Sequence, residues 1–459
     1  MADLQTQITA LQATQTVMQA DYNESLDTIW MLLAGLLVFF MHAGFSLLEA
    51  GSVRFKNTQN ILSKNLLVVT IGFLCWWATG WSFAYGVIED PGKFMGSTQF
   101  FMDGFWDDKT TFRNWFFQGA FCATAGTIVS GAMAERTQLK GLGIYAILLT
   151  AFIYPAVAYW GWSGVGFLYY TDDDGEDVSA FGPWYRDFAG SGIVHLTGGI
   201  GALVGSICVG PRKGRFESED EEEFASENVP FIVLGTFALW FGWYGFNPGS
   251  QLAIGSSTDA EIVGRCAVTT TLSGAAAGLT TLFARKIQSG TWDLVTSCNG
   301  ALAGLVAITA GPSVLQPWAA LIAGAIGALV FLGSKWLVLY KLKVDDPVDA
   351  IALHGFTGAW GLIVVGLLAD KTYVGQVYSD ATDYGIFYGG EGKLLGAEIV
   401  GIICIFLWVM STQGLLFFVL SKLGLLRASA DEEMLGLDAS EHGGSAYNYG
   451  DAKEKKEQI

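Results

Sequence analysis

The chain has 459 residues, of which 52% are hydrophobic, 14% aromatic and only 15% charged. A soluble domain carries about a quarter charged residues, so this composition excludes an ordinary water-soluble globule. The net charge of −18 excludes nucleic acid as a partner, because binding phosphate draws on a basic surface.

Apolar runs of about 20 residues recur along the chain, each long enough to cross about 30 Å of hydrocarbon. Eleven spans are predicted, at 26–48, 62–86, 117–134, 141–169, 190–210, 229–252, 262–284, 294–311, 317–340, 349–370 and 395–424. Helices are expected, since a lipid-exposed backbone must close its own hydrogen bonds and the runs lack the alternation of barrel strands. The predicted class is an all-α polytopic membrane protein. Its parts are an outer segment 1–25, a membrane domain 26–424 and a cytoplasmic tail 425–459. The orientation follows from Lys and Arg, which stay cytoplasmic beside short loops. An N-terminus outside places Arg54, Lys56, Arg136, Lys140, Arg212, Lys213, Arg215, Arg285, Lys286, Lys341 and Lys343 inside. The start, MADLQTQITA, has no basic stretch followed by an apolar one, so no cleaved signal peptide of the usual form is expected.

In chain order, Leu4, Ile8, Leu11 and Met18 keep a near-heptad spacing, which allows a short self-associating outer helix, with Gln15 breaking the seam. His42 in the first span reads as a core residue, and Glu49 at its inner end as either a snorkelling carboxylate or part of a pore exit. YTDDDGEDVSAF (170–181) outside and ESEDEEE (217–223) inside read as solvated acidic loops, the outer one able to enrich cations. Asp187 opens the fifth span and can cap it. Asp346 and Asp349 in VDDPVD read as start-of-helix acids before the tenth. The six cysteines fall in or at the ends of spans and read as small free hydrophobes.

Laying the halves over each other reveals a repeat. AGFSLLEAG (43–51) echoes YGFNPGSQL (244–252), QGAFCATAG (118–126) echoes NGALAGLVA (299–307), and HLTGGIGALVG (195–205) echoes HGFTGAWGLIVVG (354–366). Five spans repeated after five give inverted topology, with an eleventh helix added, and such repeats place their sites near the bilayer midplane. The repeat pairs His195 with His354. Ionisable groups in a bilayer are costly and mark pathways. In dry surroundings imidazoles sit neutral, or two share one proton between facing nitrogens. Such a pair suits a small neutral molecule that both donates and accepts, or a hopping proton.

GAMAERTQLKG (131–141), DFAGSGIVHLTGG (187–199), FGWYGFNPGS (241–250) and VDDPVDAIALHGFTG (344–358) resemble the signature segments of the Amt/Mep/Rh ammonium transporter family. With LLEAGSVRFKNTQNILSKN (47–65) and DASEHGGSAY (438–447), the chain looks closest to the plant-like and algal-like branch. The resemblance covers about residues 26–447.

It implies that Phe121 and Phe246 are stacked rings closing the outer mouth, and that Trp162 and Ser250, with Phe121, form an outer ammonium site. Trp243 would line the pore, Phe117 the outer wall, His195 and His354 would be the twin histidines, and Asp187 would support the site without touching substrate. Aromatic faces attract a cation by about 0.5–2 kcal/mol each. Deprotonation at the gate would let ammonia cross as a neutral molecule, its proton following along the histidines in an electrogenic cycle or returning outside. His42 and the insert DDDGED (172–177) depart from the family pattern without touching that site.

The resemblance further implies a homotrimer in the lipid bilayer of the plasma membrane. It is a transporter rather than an enzyme, with no cofactor or metal. The tail, from about Arg427, would contact a neighbouring subunit, and Ser440 stands where relatives carry a phosphorylatable threonine open to a kinase or other cytoplasmic regulator. The rival readings are an ammonium sensor with little flux and a channel for a neutral gas such as ammonia or carbon dioxide.

Overall fold

The apolar runs fold as helices, and among the described residues no strand forms beyond two isolated bridges. The computed structural model describes residues 2–86, 94–168, 185–218, 221–378 and 383–447. The outer acidic loop 170–181, with its insert 172–177, lies outside them, as does the tail beyond 447.

The long helices follow the predicted spans. They are α1 (Ala2–Ser52), α2 (Phe55–Tyr85), α3 (Thr111–Ala132), α4 (Leu139–Trp162), α5 (Ser191–Val209) and α6 (Val229–Gln251). Then come α7 (Ser257–Ser289), α8 (Leu294–Ile308), α9 (Pro317–Lys341), α10 (Ile351–Leu368) and α11 (Lys393–Lys422). Among the described residues nine of these are long and apolar enough to cross a membrane. The other two are α8, which has only 15 residues, and α3, whose run is diluted by Arg113, Asn114 and Gln118 and by Gly, Thr and Ser. Residues 2–25 are continuous with the first span, so α1 is one helix of 51 residues.

Starts are set by local chemistry. Asn228, Ser256 and Asp293 accept backbone N–H bonds at the first turns of α6, α7 and α8, satisfying donors that a helix leaves orphaned. Packing is set by glycine at two crossings. A Cβ on Gly235 of α6 would fall 2.5 Å from the Leu48 nitrogen of α1, and one on Gly199 of α5 would fall 2.1 Å from the Gly355 nitrogen of α10. Only a missing side chain permits such backbone approach. The second crossing brings the two histidine-bearing helices together.

Both histidine stretches are locally π-helical, at Ser191–Leu196 and Ile351–Phe356. A π turn widens the helix by one residue per hydrogen-bonded ring and occurs often at functional sites.

Candidate functional site

An aromatic cavity opens among α2, α3, α4 and α6, lined by Phe117, Phe121, Trp162 and Ser250, all four named from the sequence. At its floor the rings of Phe121 and Phe246 stack with centroids 4.0 Å apart and planes at 30°. Both rings are fully buried. Phe117 packs on Phe121 at 4.7 Å, and Trp162 meets it edge-on at 5.9 Å. The Ser250 hydroxyl donates to the Phe246 carbonyl at 2.7 Å, so its oxygen keeps lone pairs for an N–H in the cavity.

Behind the stacked phenyls the histidines come together. His195 and His354 are buried, their rings nearly parallel (12°) with centroids 5.1 Å apart and Nδ1 atoms 3.1 Å apart. At that spacing one Nδ1 carries the hydrogen and the other accepts it. His195 also stacks on Trp243 at 5.3 Å and lies 5.4 Å from Phe246. The Trp243 indole donates to Thr309 Oγ1 at 3.0 Å, which fixes its plane against the histidine. Phe45 lies 6.3 Å from His354 and 6.5 Å from His42, so His42 stands one ring removed from the pair.

Asp187 is both a cap and a support. Its carboxylate accepts the backbone N–H groups of Gly190, Gly192 and Ile193 at 2.8–3.0 Å and the Tyr185 hydroxyl at 3.2 Å. Its backbone carbonyl accepts the Trp162 indole N–H at 2.7 Å, tying the cavity wall to the start of α5. It does not line the aromatic cavity.

Other acidic readings resolve differently. Glu49 does not snorkel: it is buried and accepts from Asn65 Nδ2 at 2.8 Å. Asp346 caps the start of α10 through Ile351 N–H at 2.7 Å, as its position suggested. Asp349 instead pairs with Lys335 at 2.7 Å and Asn299 at 3.1 Å. Both acids line a second cavity, together with Ser52, Asn299 and Ala352.

Sequence reasoning missed several residues. Tyr85, Asn114 and Gln118 line the aromatic cavity, and among the described residues the Tyr85 hydroxyl and Gln118 Oε1 have no hydrogen-bond partner. An amide beside Phe121 inside an apolar run was the available signal for Gln118. Phe224, directly after the acidic run 217–223, is buried within 4.9–5.2 Å of the guanidinium groups of Arg54, Arg212 and Arg215, so part of that loop packs rather than merely being solvated.

Four of the loops between helices converge on a buried ionic cluster. Glu135 pairs with Arg54 and Arg212, each at 2.5 Å, and Arg212 pairs with Asp345 at 2.8 Å. These bonds hold Glu135 in a left-handed conformation at φ 72°, unusual for a residue with a side chain. Burial opposes ionisation of Glu135 and Asp345, but the neighbouring guanidinium groups outweigh it and hold both carboxyls below their ordinary range. Depressed folded values give stability that is present above pH ~4 and lost as pH falls through them. Arg212→Ala leaves two buried carboxylates undercompensated. It is expected to destabilise the protein by about 3–5 kcal/mol at neutral pH. Thermal unfolding from neutral pH down into acid checks this, with the gap between wild type and variant closing in strong acid.

The tail lies on its own chain. Short helices α12 (Ala430–Leu435) and α13 (Leu437–His442) dock at the start of α2, where Asp438 accepts from the Gln59 and Asn60 N–H groups at 2.9 and 2.8 Å. Ser440 donates to the Gly436 carbonyl at 3.1 Å.

Comparison with known proteins agrees with this architecture. A model of the Ammonium Transporter Family matches residues 29–447. Ammonium transporter 1 member 3 of Solanum lycopersicum is 43% identical over 443 residues, covering 94% of this chain and 95% of the relative. Ammonium transporter 1 member 2 of Arabidopsis thaliana is 45% identical over 414 residues, covering 88% and 80%. Among solved structures, Candida albicans Mep2 superposes with a TM-score of 0.79 at 27% identity, covering 90% of this chain and 88% of that one. A protein described as Sensor Amt Protein superposes with a TM-score of 0.81 at 30% identity, covering 92% and 99%. The chain belongs to the ammonium transporter family.

Proposed function

We propose that this ammonium transporter recruits ammonium at Trp162, Phe121 and Ser250, removes a proton at the Phe121–Phe246 gate, and conducts ammonia past His195 and His354 while the proton follows along the imidazole pair. The observation that carries this is the continuous sequence of contacts from the aromatic cavity through the stacked phenyls to His195 and His354. Moving a bare cation through that apolar stretch would cost many kcal/mol, whereas neutral ammonia needs only a donor and an acceptor on its way. The linked Nδ1 atoms supply a route on which a proton can be handed across. The family membership supports ammonium as the substrate.

In this reading the chain crosses a plasma membrane eleven times as two inverted five-helix repeats with an added helix, N-terminus outside, and assembles as a homotrimer with one pore per protomer. Matching π turns at the two histidines support the repeat. Phe117 and Trp243 line the path and Asp187 holds it in place. A phosphate on Ser440 would add negative charge to α13, which already carries Asp438 and Glu441, and the repulsion would undock the tail from α2. Ser440→Asp is accordingly expected to lower uptake, measured beside Ser440→Ala, which keeps it.

Reconstituted protein is expected to carry inward current on addition of ammonium. Flux without current would replace this reading with a neutral gas channel, and binding without flux with a sensor. Trp162→Leu is expected to raise the half-saturating ammonium concentration about 2- to 30-fold, the loss of one cation–π contact. Uptake measured against ammonium concentration checks it.

A further inference from the structure

Residues 4–22 of α1 are exposed at every position, and α1 runs on without a break into the membrane domain. At about 1.5 Å per residue this outer stretch stands some 30 Å clear of the helices that pack on the rest of α1. One face of it is apolar: Leu4, Ile8, Leu11, Met18 and Tyr22 are 61%, 40%, 70%, 67% and 61% exposed, and with Gln15 they alternate in steps of four and three. Below Tyr22 the chain's own helices begin to cover α1, and the positions left exposed include ones that continue the same steps, Ser25, Ile29, Leu32, Leu36 and Phe39, with Leu33 and Phe40 exposed beside them. The stripe on the free segment and the face that the fold leaves uncovered are therefore one seam.

The flanks of that seam identify its partner. In a bundle of identical parallel helices, flanking residues of neighbouring copies meet, so like charges there repel. This chain carries 43 acidic and 25 basic residues, yet residues 4–20 contain no charge: the flanking positions hold Gln5, Gln7, Gln12, Thr14 and Gln19, and the single charge on the flanks of residues 4–22 is Asp21, at the end nearest the membrane domain. Copies in one bilayer present this segment on the same side and in the same direction, so any pairing among them is parallel and in register. The polar Gln15 then stacks against its own equivalents, a device that fixes register at some expense of stability.

We propose that α1 residues 4–22 pair with the same segment of further copies of this chain, forming a parallel coiled coil above the membrane. Only the number of strands rests on the homotrimeric reading. A lone helix with this seam leaves its large apolar side chains in water, and pairing removes them from it.

The test uses the full chain in its membrane with single substitutions Leu11→Cys, Met18→Cys, Ala13→Cys and Thr16→Cys and a short bismaleimide cross-linker, the unsubstituted chain giving the background of the six native cysteines. Ammonium uptake at the unsubstituted level reports an intact fold. Seam variants are expected to cross-link to their own equivalents at least about tenfold faster than Ala13→Cys and Thr16→Cys on the opposite face, because the seam holds them at high effective concentration. Equal rates on both faces, no cross-link on either, or cross-links to a different polypeptide would each overturn the proposal. If oligomers still co-purify in that event, the assembly reading survives it.

Discussion

Replacing His195 with alanine is expected to reduce ammonium-driven current by about 100-fold or more, within the range that a positioned proton-transfer group contributes. The imidazole occupies the space between Phe246, Trp243 and His354, and its Nδ1 is joined to that of His354 at 3.1 Å. On the proposed route, alanine removes the group that would receive a proton at the phenyl gate and pass it on to His354. His354→Ala breaks the same link from its other end, so its current falls to a similar level. The double variant falls no further, since residues acting as one unit lose their effect together. Current recorded from liposomes holding equal amounts of folded protein, with uncharged ammonia flux measured in parallel, checks this. A double variant markedly worse than either single one would mean that the rings act separately. Wild-type current in either single variant would remove the histidines from the proton's path.

Asp187 is expected to separate stability from transport. In Asp187→Ala three backbone N–H groups at the start of α5 and the Tyr185 hydroxyl lose their acceptor in a buried site. Each orphaned group costs about 1–3 kcal/mol, and the total rivals the roughly 5–15 kcal/mol that holds a domain folded. Little folded protein should reach the membrane. Asp187→Asn keeps one oxygen acceptor but presents an amide to donors on the other side, so it should fold with reduced stability and take up ammonium with a raised half-saturation. The Trp162 anchor is the backbone carbonyl of Asp187 and survives both changes chemically. Surface abundance and thermal unfolding for the alanine variant, and uptake kinetics for the asparagine one, test the pair. Normal abundance of Asp187→Ala would show that water satisfies the helix start and that the carboxylate is not its cap.

The sequence by itself determined where the helices run, because a bilayer demands about 20 apolar residues per crossing and closed backbone bonding. The predicted spans at 190–210 and 349–370 became Ser191–Val209 and Ile351–Leu368. It also determined which residues to watch: internal echo paired His195 with His354, and motif resemblance named Phe121, Phe246, Trp162 and Ser250. Tertiary structure decided what no local pattern carries. The π turns that present both histidines, the near-contact of their Nδ1 atoms across the Gly199–Gly355 crossing, and the Ser250 proton committed to Phe246 follow from how distant helices pack. So does the cluster of Arg54, Glu135, Arg212 and Asp345, drawn from four separate loops, where Glu135 had no visible partner in the chain. Hydropathy and spacing are properties of neighbours along the chain and survive in the sequence. The pairing of a buried charge or a ring nitrogen depends on neighbours in space, which only the packed helices supply.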